Sequence, residues 1–384
     1  MRNILCFAVF HLATILDTAR GDPIPRAIQD LNAATFESRA AATVSAAEPV
    51  VTVASTGTYL RVNSVTYANG TSGLIGAYTD TTDSGSNRIL RVVQSTDEGQ
   101  SWDIIGSVAQ GEVATSDIDN PFPLQIVPGG RIICAYRNHD IDATTGDYTY
   151  YRITLSYSDD WGVSWSYLAQ VTERAATSVN NGVWEPFCRL ANDGTTIQCY
   201  YSSESAADDQ DSLMQYSTDG GETWSTEIAV SGQNVTSRDG MTGVAVVEDD
   251  TLICVFENTE DGPFSIRSVL SYDDGLTWDE TTRSIVYDPS NTVSTAQAPA
   301  IINVGGTLVV SFITNEDTPT DTSGDADGGT VKVITSLNTN IVWADKTSIS
   351  TGAHWPGLYS LGSSDFLVLY GSDTVGVASR EYTV

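Results

Sequence analysis

Short apolar runs alternate with polar positions along most of the chain, and turn-forming residues separate them. Runs of this length, rich in β-branched and aromatic side chains and bounded by Gly, Asn and Asp, are typical of strands. The pattern predicts an all-β chain in which the strands come in groups of four. One such group comprises Pro123–Val127, Arg131–Tyr136, Tyr151–Tyr157 and Ser166–Val171.

Five groups of four runs follow one another between Tyr59 and Ser350, and a last group, within 356–382, has only three. One further run, Pro49–Ala54, precedes the first group. If this run pairs with the last group, it completes a sixth sheet and closes a ring without open edges. We therefore expect a six-bladed β-propeller of four-stranded antiparallel blades over residues 48–384.

An octapeptide of the form Ser-x-Asp-x-Gly-x-(Ser/Thr)-Trp lies between the third and fourth runs of a group. The Asp carboxylate can accept backbone N–H bonds within a turn, the Gly supplies a positive φ, and the Trp can bury its ring between neighbouring sheets. These carboxylates are therefore expected to be structural. The four copies begin at Ser95, Ser158, Ser217 and Ser271, and a degenerate fifth begins at Ser336.

The charge of the chain limits its partners. Lys and Arg number 18 and Asp and Glu 49, which gives a formal charge of -31. Such a field repels nucleic acid and anionic membranes and makes a neutral polysaccharide or oligosaccharide a better substrate than a polyanion. Because the ring closes on itself, a monomer is expected.

The first residues predict export. A basic start precedes the apolar run Ile4–Phe10, which indicates a signal peptide over residues 1–22 and a secreted, extracellular protein. Residues 23–47, rich in Ala and without strand pattern, are expected to form a flexible leader or propeptide.

Four cysteines follow the predicted signal. Cys188 and Cys199 flank the turn-forming residues 192–194 almost symmetrically, so a disulfide across one hairpin is plausible. Cys134 and Cys254 occupy equivalent places in their repeats and are expected to be buried free thiols. With no CxxC pattern and three histidines, no metal or other cofactor is expected.

The octapeptide turns fix the face on which a site can form. In an antiparallel blade these turns, between strands three and four, lie on one face of the propeller. The start of the first strand and the end of the second strand lie on the opposite face. The site is therefore expected at the mouth of the central channel on that second face. The predicted substrate-binding residues are Arg61, Asn120, His139, Trp184, Asp239, His354, Trp355 and Tyr370.

Two glutamates on this face have the arrangement that glycoside hydrolysis requires. Glu185 enters at the start of an innermost strand, and Glu257 leaves the second strand of the next blade. One carboxyl group can protonate the leaving oxygen while the other attacks or activates water. The alternative is that either glutamate only pairs with an arginine such as Arg61 or Arg238, and Trp184 and Trp355 could equally be core residues.

The motifs resemble known families. The octapeptide is similar to the Asp box of sialidase-like propellers. The segment Asn181–Phe187, which reads Asn-Gly-Val-Trp-Glu-Pro-Phe, together with Phe256-Glu257-Asn258 resembles glycoside hydrolase family 93, whose members are fungal exo-arabinanases. The resemblance implies retaining hydrolysis of α-1,5-linked L-arabinan from the non-reducing end, with release of arabinobiose by two catalytic glutamates.

On this basis Glu185 is assigned as the nucleophile and Glu257 as the acid/base, since Glu260 and Asp261 nearby would hold a proton on Glu257. The reverse assignment stays open. So do three other functions: a sialidase, which would need three arginines around a carboxylate and a Tyr nucleophile, an exo-hydrolase of a different neutral glycan, and a non-catalytic carbohydrate-binding propeller.

Overall fold

A computed structural model describes residues 42–81, 85–318 and 324–384 of the chain. Within these ranges the secondary structure consists of 25 β-strands in six antiparallel sheets, without a helix. The predicted signal peptide and most of the predicted leader lie outside the described residues. The all-β, six-bladed fold predicted from the repeats is confirmed.

Five blades are formed by consecutive strands. Blade one contains β3 (Thr58–Thr66), β4 (Ser72–Asp80), β5 (Asn87–Ser95) and β6 (Asp103–Glu112). Blade two contains β7 (Ser116–Gln125), β8 (Ile132–Ile141), β9 (Tyr148–Ser158) and β10 (Ser166–Ala175). Blade three contains β11 (Val183–Leu190), β12 (Ile197–Ala206), β13 (Asp209–Ser217) and β14 (Ile228–Ser231). Blade four contains β15 (Gly240–Glu248), β16 (Thr251–Asn258), β17 (Ser265–Ser271) and β18 (Asp279–Tyr287). Blade five contains β19 (Ala296–Val304), β20 (Thr307–Thr314), β21 (Thr330–Leu337) and β22 (Asn340–Thr351).

The sixth blade joins the two ends of the propeller. It contains β23 (Ala353–Ser360), β24 (Asp365–Ser372) and β25 (Gly376–Thr383), and β25 pairs with both β1 (Ser45–Ala46) and β2 (Val51–Ala54). The predicted closure by the run before the first blade is confirmed. Because β1 falls within residues 23–47, the last residues of the range assigned to a leader belong to this sheet.

The turns between third and fourth strands have the predicted chemistry. In the second copy, the Ser158 hydroxyl donates to Asp160 (2.8 Å) and accepts from the Gly162 amide (2.8 Å), and Asp160 accepts from the Ser164 amide (2.8 Å). The degenerate fifth copy is different, because Asn338 donates across to the Val247 carbonyl of blade four (2.9 Å). The Asp-box residues are therefore structural, as expected.

The cysteine prediction is correct in position but not in bonding. Cys188 and Cys199 are direct cross-strand partners in β11 and β12, both buried, and all four described cysteines are free. Burial raises the pKa of the Cys188 thiol well above its usual range, which keeps it in the unreactive, protonated form. The disulfide considered from the sequence is therefore not formed. Cys134 and Cys254 are buried free thiols, as predicted.

Every innermost strand carries the same irregularity near its start. The pairing with the second strand slips by a bulge, and one residue in the bulge has a positive φ. Residues other than Gly rarely adopt this conformation, so its repetition in all six blades is a systematic feature of the fold. The six residues are Tyr59, Asn120, Glu185, Met241, Ala298 and Trp355, with φ between 44° and 58°.

Candidate active site

The bulges lie at the face opposite the Asp boxes. Three of the bulge residues, Tyr59, Glu185 and Trp355, line a cavity of about 510 Å³ at the channel mouth. Glu185 and Glu257 both line this cavity, as do the predicted sugar-stacking residues Trp184 and Trp355. The other lining residues are Thr58, Tyr59, Thr79, Thr81, Arg88, Asp119, Arg137, Glu204, Gln210 and Arg238. The structure thus brings the two glutamates together in one cleft.

Glu185 is presented by the bulge of β11. The Ser202 hydroxyl on β12 donates to its carboxylate (3.0 Å) and itself accepts the amide of Met241, the bulge residue of the next blade (3.0 Å). Burial raises the pKa of Glu185 to about 7, against the opposing effects of Arg137, the Ser202 hydrogen bond and Arg238. Its pKa is thus balanced between burial and two nearby positive charges.

Glu257 comes from the end of β16, opposite Gly240 on β15. Its carboxylate accepts the amide of Ala298, the bulge residue of blade five (2.8 Å). Burial, together with the negative charge of Glu185, raises the pKa of Glu257 to about 8. Burial therefore favours the protonated form of Glu257, and an ionised Glu185 reinforces this effect.

The reason given from sequence for the proton on Glu257 was wrong. Glu260 pairs with Arg283 (3.0 Å), and Asp261 forms an ion pair with Arg267. Each of these acidic side chains is therefore neutralised by an arginine of its own blade. The proton on Glu257 is instead stabilised mainly by burial.

Three arginines at the cavity already have carboxylate partners. Arg88 and Arg137 share Asp117 and Asp119, with Arg137 at 3.0 and 3.2 Å from their oxygens. Arg238 pairs with Glu204 at 2.8 Å. The alternative in which Arg238 or Arg61 pairs with Glu185 or Glu257 is wrong, because neither glutamate has an ion pair among the described residues.

Two aromatic groups frame the cavity. Trp355 stacks on Tyr59 with ring centroids 4.9 Å apart and an angle of 13° between the planes. Trp184 packs edge-on against His139 (4.8 Å), and the Arg137 guanidinium lies 5.3 Å from its ring centroid. Both indoles are partly exposed at the cavity, so each offers a surface to a sugar ring.

The other predicted substrate-binding residues do not line this cavity. Arg61 and Asn120 line an adjoining cavity of about 410 Å³ in the central channel, which shares Tyr59 and Glu185 with the first. His139, Asp239 and Tyr370 are buried. His139 donates from Nε2 to the Val183 carbonyl (2.8 Å), and burial lowers its pKa to about 3, so it is a neutral support behind Trp184.

Asp239 is buried against Arg283 (2.6 Å), and Tyr370 lies in the core between blades five and six. His354 lies beside the cavity, with both ring nitrogens engaged by Asp327 and Asp373. These side chains were placed on the correct face of the propeller from sequence, but packing directs them away from the cleft.

The prediction missed Arg88 and Gln210 altogether. Both lie near the start of a third strand, in β5 and β13, and both line the cavity. The third strand of an antiparallel blade starts on the face where the second one ends. A prediction that included the starts of third strands would have found both residues.

Two structural features, a cluster of metal-ligating side chains and a membrane-spanning helix, are absent from the described part of the chain. It contains no group of three or more His, Cys, Asp or Glu side chains that could hold a metal ion. Among the same residues no helix is long and apolar enough to cross a membrane.

The fold is that of a sialidase-like β-propeller. Residues 70–352 match the BNR repeat-like domain, and the chain belongs to this family. It is 28% identical to a sialidase from Paraclostridium sordellii over an alignment of 229 residues, and the match covers 54% of this chain and 52% of the sialidase. The chain thus spans about half the length of that curated relative.

Two solved structures are similar over nearly the whole chain. One is a Penicillium chrysogenum α-L-arabinanase complexed with arabinobiose, with 19% identity, a TM-score of 0.62 and coverage of 88% of this chain and 98% of the other. The second is the family 93 α-L-arabinofuranosidase of Fusarium graminearum with arabinobiose, with 19% identity, a TM-score of 0.61 and coverage of 89% and 97%. At this level of identity the likeness concerns the fold.

Proposed function

We propose that the protein is an exo-acting, retaining glycoside hydrolase that cleaves linear α-1,5-L-arabinan from the non-reducing end and releases arabinobiose. The observation that carries the proposal is the pair of carboxyl groups, a half-buried Glu185 and a buried Glu257, in one cleft with different surroundings. Arg137 and Arg238 oppose the effect of burial on the pKa of Glu185. On the pKa of Glu257, burial and the Glu185 charge act together against the Ala298 amide and Arg238. Such a division of roles is what retaining hydrolysis requires.

In the first step, the Glu257 carboxyl group donates its proton to the glycosidic oxygen as the bond from that oxygen to the anomeric carbon breaks. The Glu185 carboxylate attacks the anomeric carbon and forms a glycosyl ester. In the second step, the Glu257 carboxylate removes a proton from water, which displaces Glu185 from the sugar. Both carboxyl groups return to their starting states, so no cofactor is needed.

A neutral substrate is favoured by the charge balance of the cleft. Arg88, Arg137 and Arg238 are all held by carboxylates, so none is left free to bind a sugar carboxylate as a sialidase requires. The structural likeness to two proteins with bound arabinobiose supports arabinan as the substrate.

The sialidase relative makes a sialoside the second candidate. Burial raises the pKa of Tyr59 at the cleft well above its usual range, with the charges of Asp119 and Glu185 adding to the effect, which disfavours this tyrosine as a nucleophile.

The test is product release from linear α-1,5-arabinan, followed by chromatography, with a sialoside as the comparison substrate. Wild type should release arabinobiose, and Glu185→Gln and Glu257→Gln should each lose at least a thousandfold in kcat. Azide added to Glu185→Ala and Glu257→Ala identifies the nucleophile through its product. The variant that lacks the nucleophile should give the glycosyl azide of inverted anomeric configuration, and the variant that lacks the acid/base should give the retained one. Cleavage of the sialoside with arabinan untouched would replace this proposal by the sialidase. Sugar binding without turnover of any glycan would indicate a carbohydrate-binding propeller.

We also propose that the protein acts outside the cell as a monomer. The signal-like sequence of residues 1–22 and the polymeric substrate support export. Expression of the full chain with N-terminal sequencing of the medium fraction tests this, together with light scattering for the mass. Export would be contradicted if the protein stayed in the cell fraction with residues 1–22 still attached.

A further inference from the structure

His354 lies between two carboxylates at the edge of the cleft. Its Nδ1 is 2.6 Å from Asp327 and its Nε2 is 3.0 Å from Asp373. A neutral imidazole carries one N–H, so donation to both carboxylates requires the protonated ring. The hydrogen bond to Asp327, with help from Asp373, raises the pKa of His354 to about 9 against the effect of burial. No ring nitrogen is left to bind a sugar hydroxyl.

The two carboxylates belong to different blades. Asp327 lies between β20 and β21 of blade five, and Asp373 lies in the turn between β24 and β25 of blade six. Backbone bonds accompany both contacts: the Gly328 amide donates to the Ala353 carbonyl (3.2 Å), and the Asp373 amide donates to the Gly352 carbonyl (3.1 Å). His354 therefore ties the two segments together around the start of β23.

The residue after His354 is Trp355, whose indole lines the cleft and stacks on Tyr59. The backbone of Trp355 has a φ of 45°, a strained conformation that persists only where the surroundings hold it. We propose that Asp327, His354 and Asp373 form a positioning triad that holds the Trp355 indole in the cleft as a stacking surface for substrate. His354 is thus a positioning residue that acts through Trp355.

The other charged groups near the triad fit this role. Asp325 lies in the same segment as Asp327, and its charge contributes to the raised pKa of Glu257. On the other side, Arg61 donates to the Trp355 carbonyl (3.3 Å). Above about pH 9 the ring loses one proton and one of its two bonds, so the start of β23 becomes less constrained. The movement should be visible at Trp355.

The first test follows the eight tryptophans by NMR with ¹⁵N-labelled indoles, between pH 7 and pH 9.5. The Trp355 signal is assigned through Trp355→Phe. In Glu257→Gln, which removes the titration of Glu257, it should shift with a midpoint near pH 9. In Glu257→Gln combined with His354→Gln this titration should be absent. Asp373→Asn added to Glu257→Gln should lower the midpoint. The other indole signals report on folding, and the Asp-box Trp102 on the opposite face should not titrate. A Trp355 signal that is independent of pH in Glu257→Gln, or that titrates equally when His354→Gln is added, would overturn the triad.

The second test rests on the proposed function and measures arabinobiose binding by calorimetry in Glu257→Gln, which removes the titration of Glu257. Between pH 8 and pH 9.5 the Kd should rise about fivefold, the scale of one aromatic stacking contact. The double variant Glu257→Gln/His354→Gln should bind arabinobiose more weakly than Glu257→Gln at pH 8. Its Kd should then stay constant up to pH 9.5. Equal pH dependence in both proteins would contradict a role in substrate binding. If arabinobiose binds at no pH, the proposed function fails, while the indole signals still decide the triad.

Discussion

Glu185 and Trp355 occupy the same bulge position in two blades that are three apart in the ring, with φ values of 44° and 45°. One is the proposed nucleophile, and the other offers a stacking surface. In both, the left-handed backbone accompanies a side chain that lines the cleft, where a regular strand would alternate its residues between two faces. The strain at this position is therefore part of how a propeller blade builds a site.

This strain should be measurable at Glu185. Glu185→Gly and Glu185→Ala both remove the carboxylate, but only Gly adopts a positive φ without cost. We expect the Gly variant to have a free energy of unfolding about 1 kcal/mol higher than the Ala variant. Urea denaturation gives the comparison.

Val183 supplies the matched control for that comparison, because it lies in the same strand and is absent from the positive-φ positions. There the order should reverse, with Gly less stable than Ala by roughly 0.5 to 1 kcal/mol. The same order at both positions would mean that the bulge stores no backbone strain.

The pH dependence of kcat/KM should be a narrow bell. Glu185 must be ionised to attack, so activity should rise as the pH passes about 7. Glu257 must be protonated to donate, so activity should fall as the pH passes about 8. Initial rates on linear arabinan at low substrate concentration measure both limbs.

Ser202→Ala should shift only the low-pH side of this profile, which is set by the ionisation of Glu185. The Ser202 hydroxyl donates to Glu185 and stabilises its ionised form. Its loss should therefore raise the apparent pKa of the low-pH side by about one unit. Ser203→Ala is the matched control, because the Ser203 hydroxyl accepts from Arg174 instead. An unchanged apparent pKa on the low-pH side in Ser202→Ala would show that this hydrogen bond does not set the ionisation of Glu185.

The Asp boxes should contribute to stability without affecting catalysis. Asp273 accepts the Ser271 hydroxyl (2.9 Å), the Thr277 amide (2.8 Å) and the Thr277 hydroxyl (2.6 Å). Asp273→Ala should lower the free energy of unfolding by about 2 kcal/mol and leave kcat unchanged. Leu276→Ala in the same turn, at an exposed side chain, should change stability by less than about 0.5 kcal/mol. A fall in kcat without a loss of stability would show that this turn affects catalysis directly and would contradict its purely structural role.

Asp239 should prove structural, although the sequence suggested substrate binding. It is fully buried and accepts two bonds from Arg283, at 2.6 and 2.9 Å. Asp239→Ala removes the most deeply buried of the carboxylates that pair with Arg283 and should cost about 3 kcal/mol of stability. Adding Arg283→Met should recover part of the loss. Thermal unfolding and the KM for arabinan separate the roles, and a raised KM with normal stability would contradict the structural one.

Within the site, the glutamate pair could be predicted and several of its partners could not. Glu185 and Glu257 follow from the repeat, because the repeat fixes which strand ends lie at the channel mouth. His139, Asp239 and Tyr370 have equally suitable positions in sequence, yet they point into cores between blades. The direction of a side chain depends on where a bulge interrupts the pairing and on what the neighbouring blade supplies. Both are properties of the assembled ring.

The sequence by itself determined the blades, the turns and the face of the site, because each depends on residues within one hairpin or one repeat. Alternation sets a strand, and Ser, Asp and Gly set a turn. Only the tertiary structure decided the chemistry of the cleft. Tyr59 reaches Trp355 across almost the whole chain, and the Ala298 amide reaches Glu257 from the next blade. Ring closure creates those contacts and the burial that raises the pKa of both glutamates, and no local pattern in the sequence encodes them.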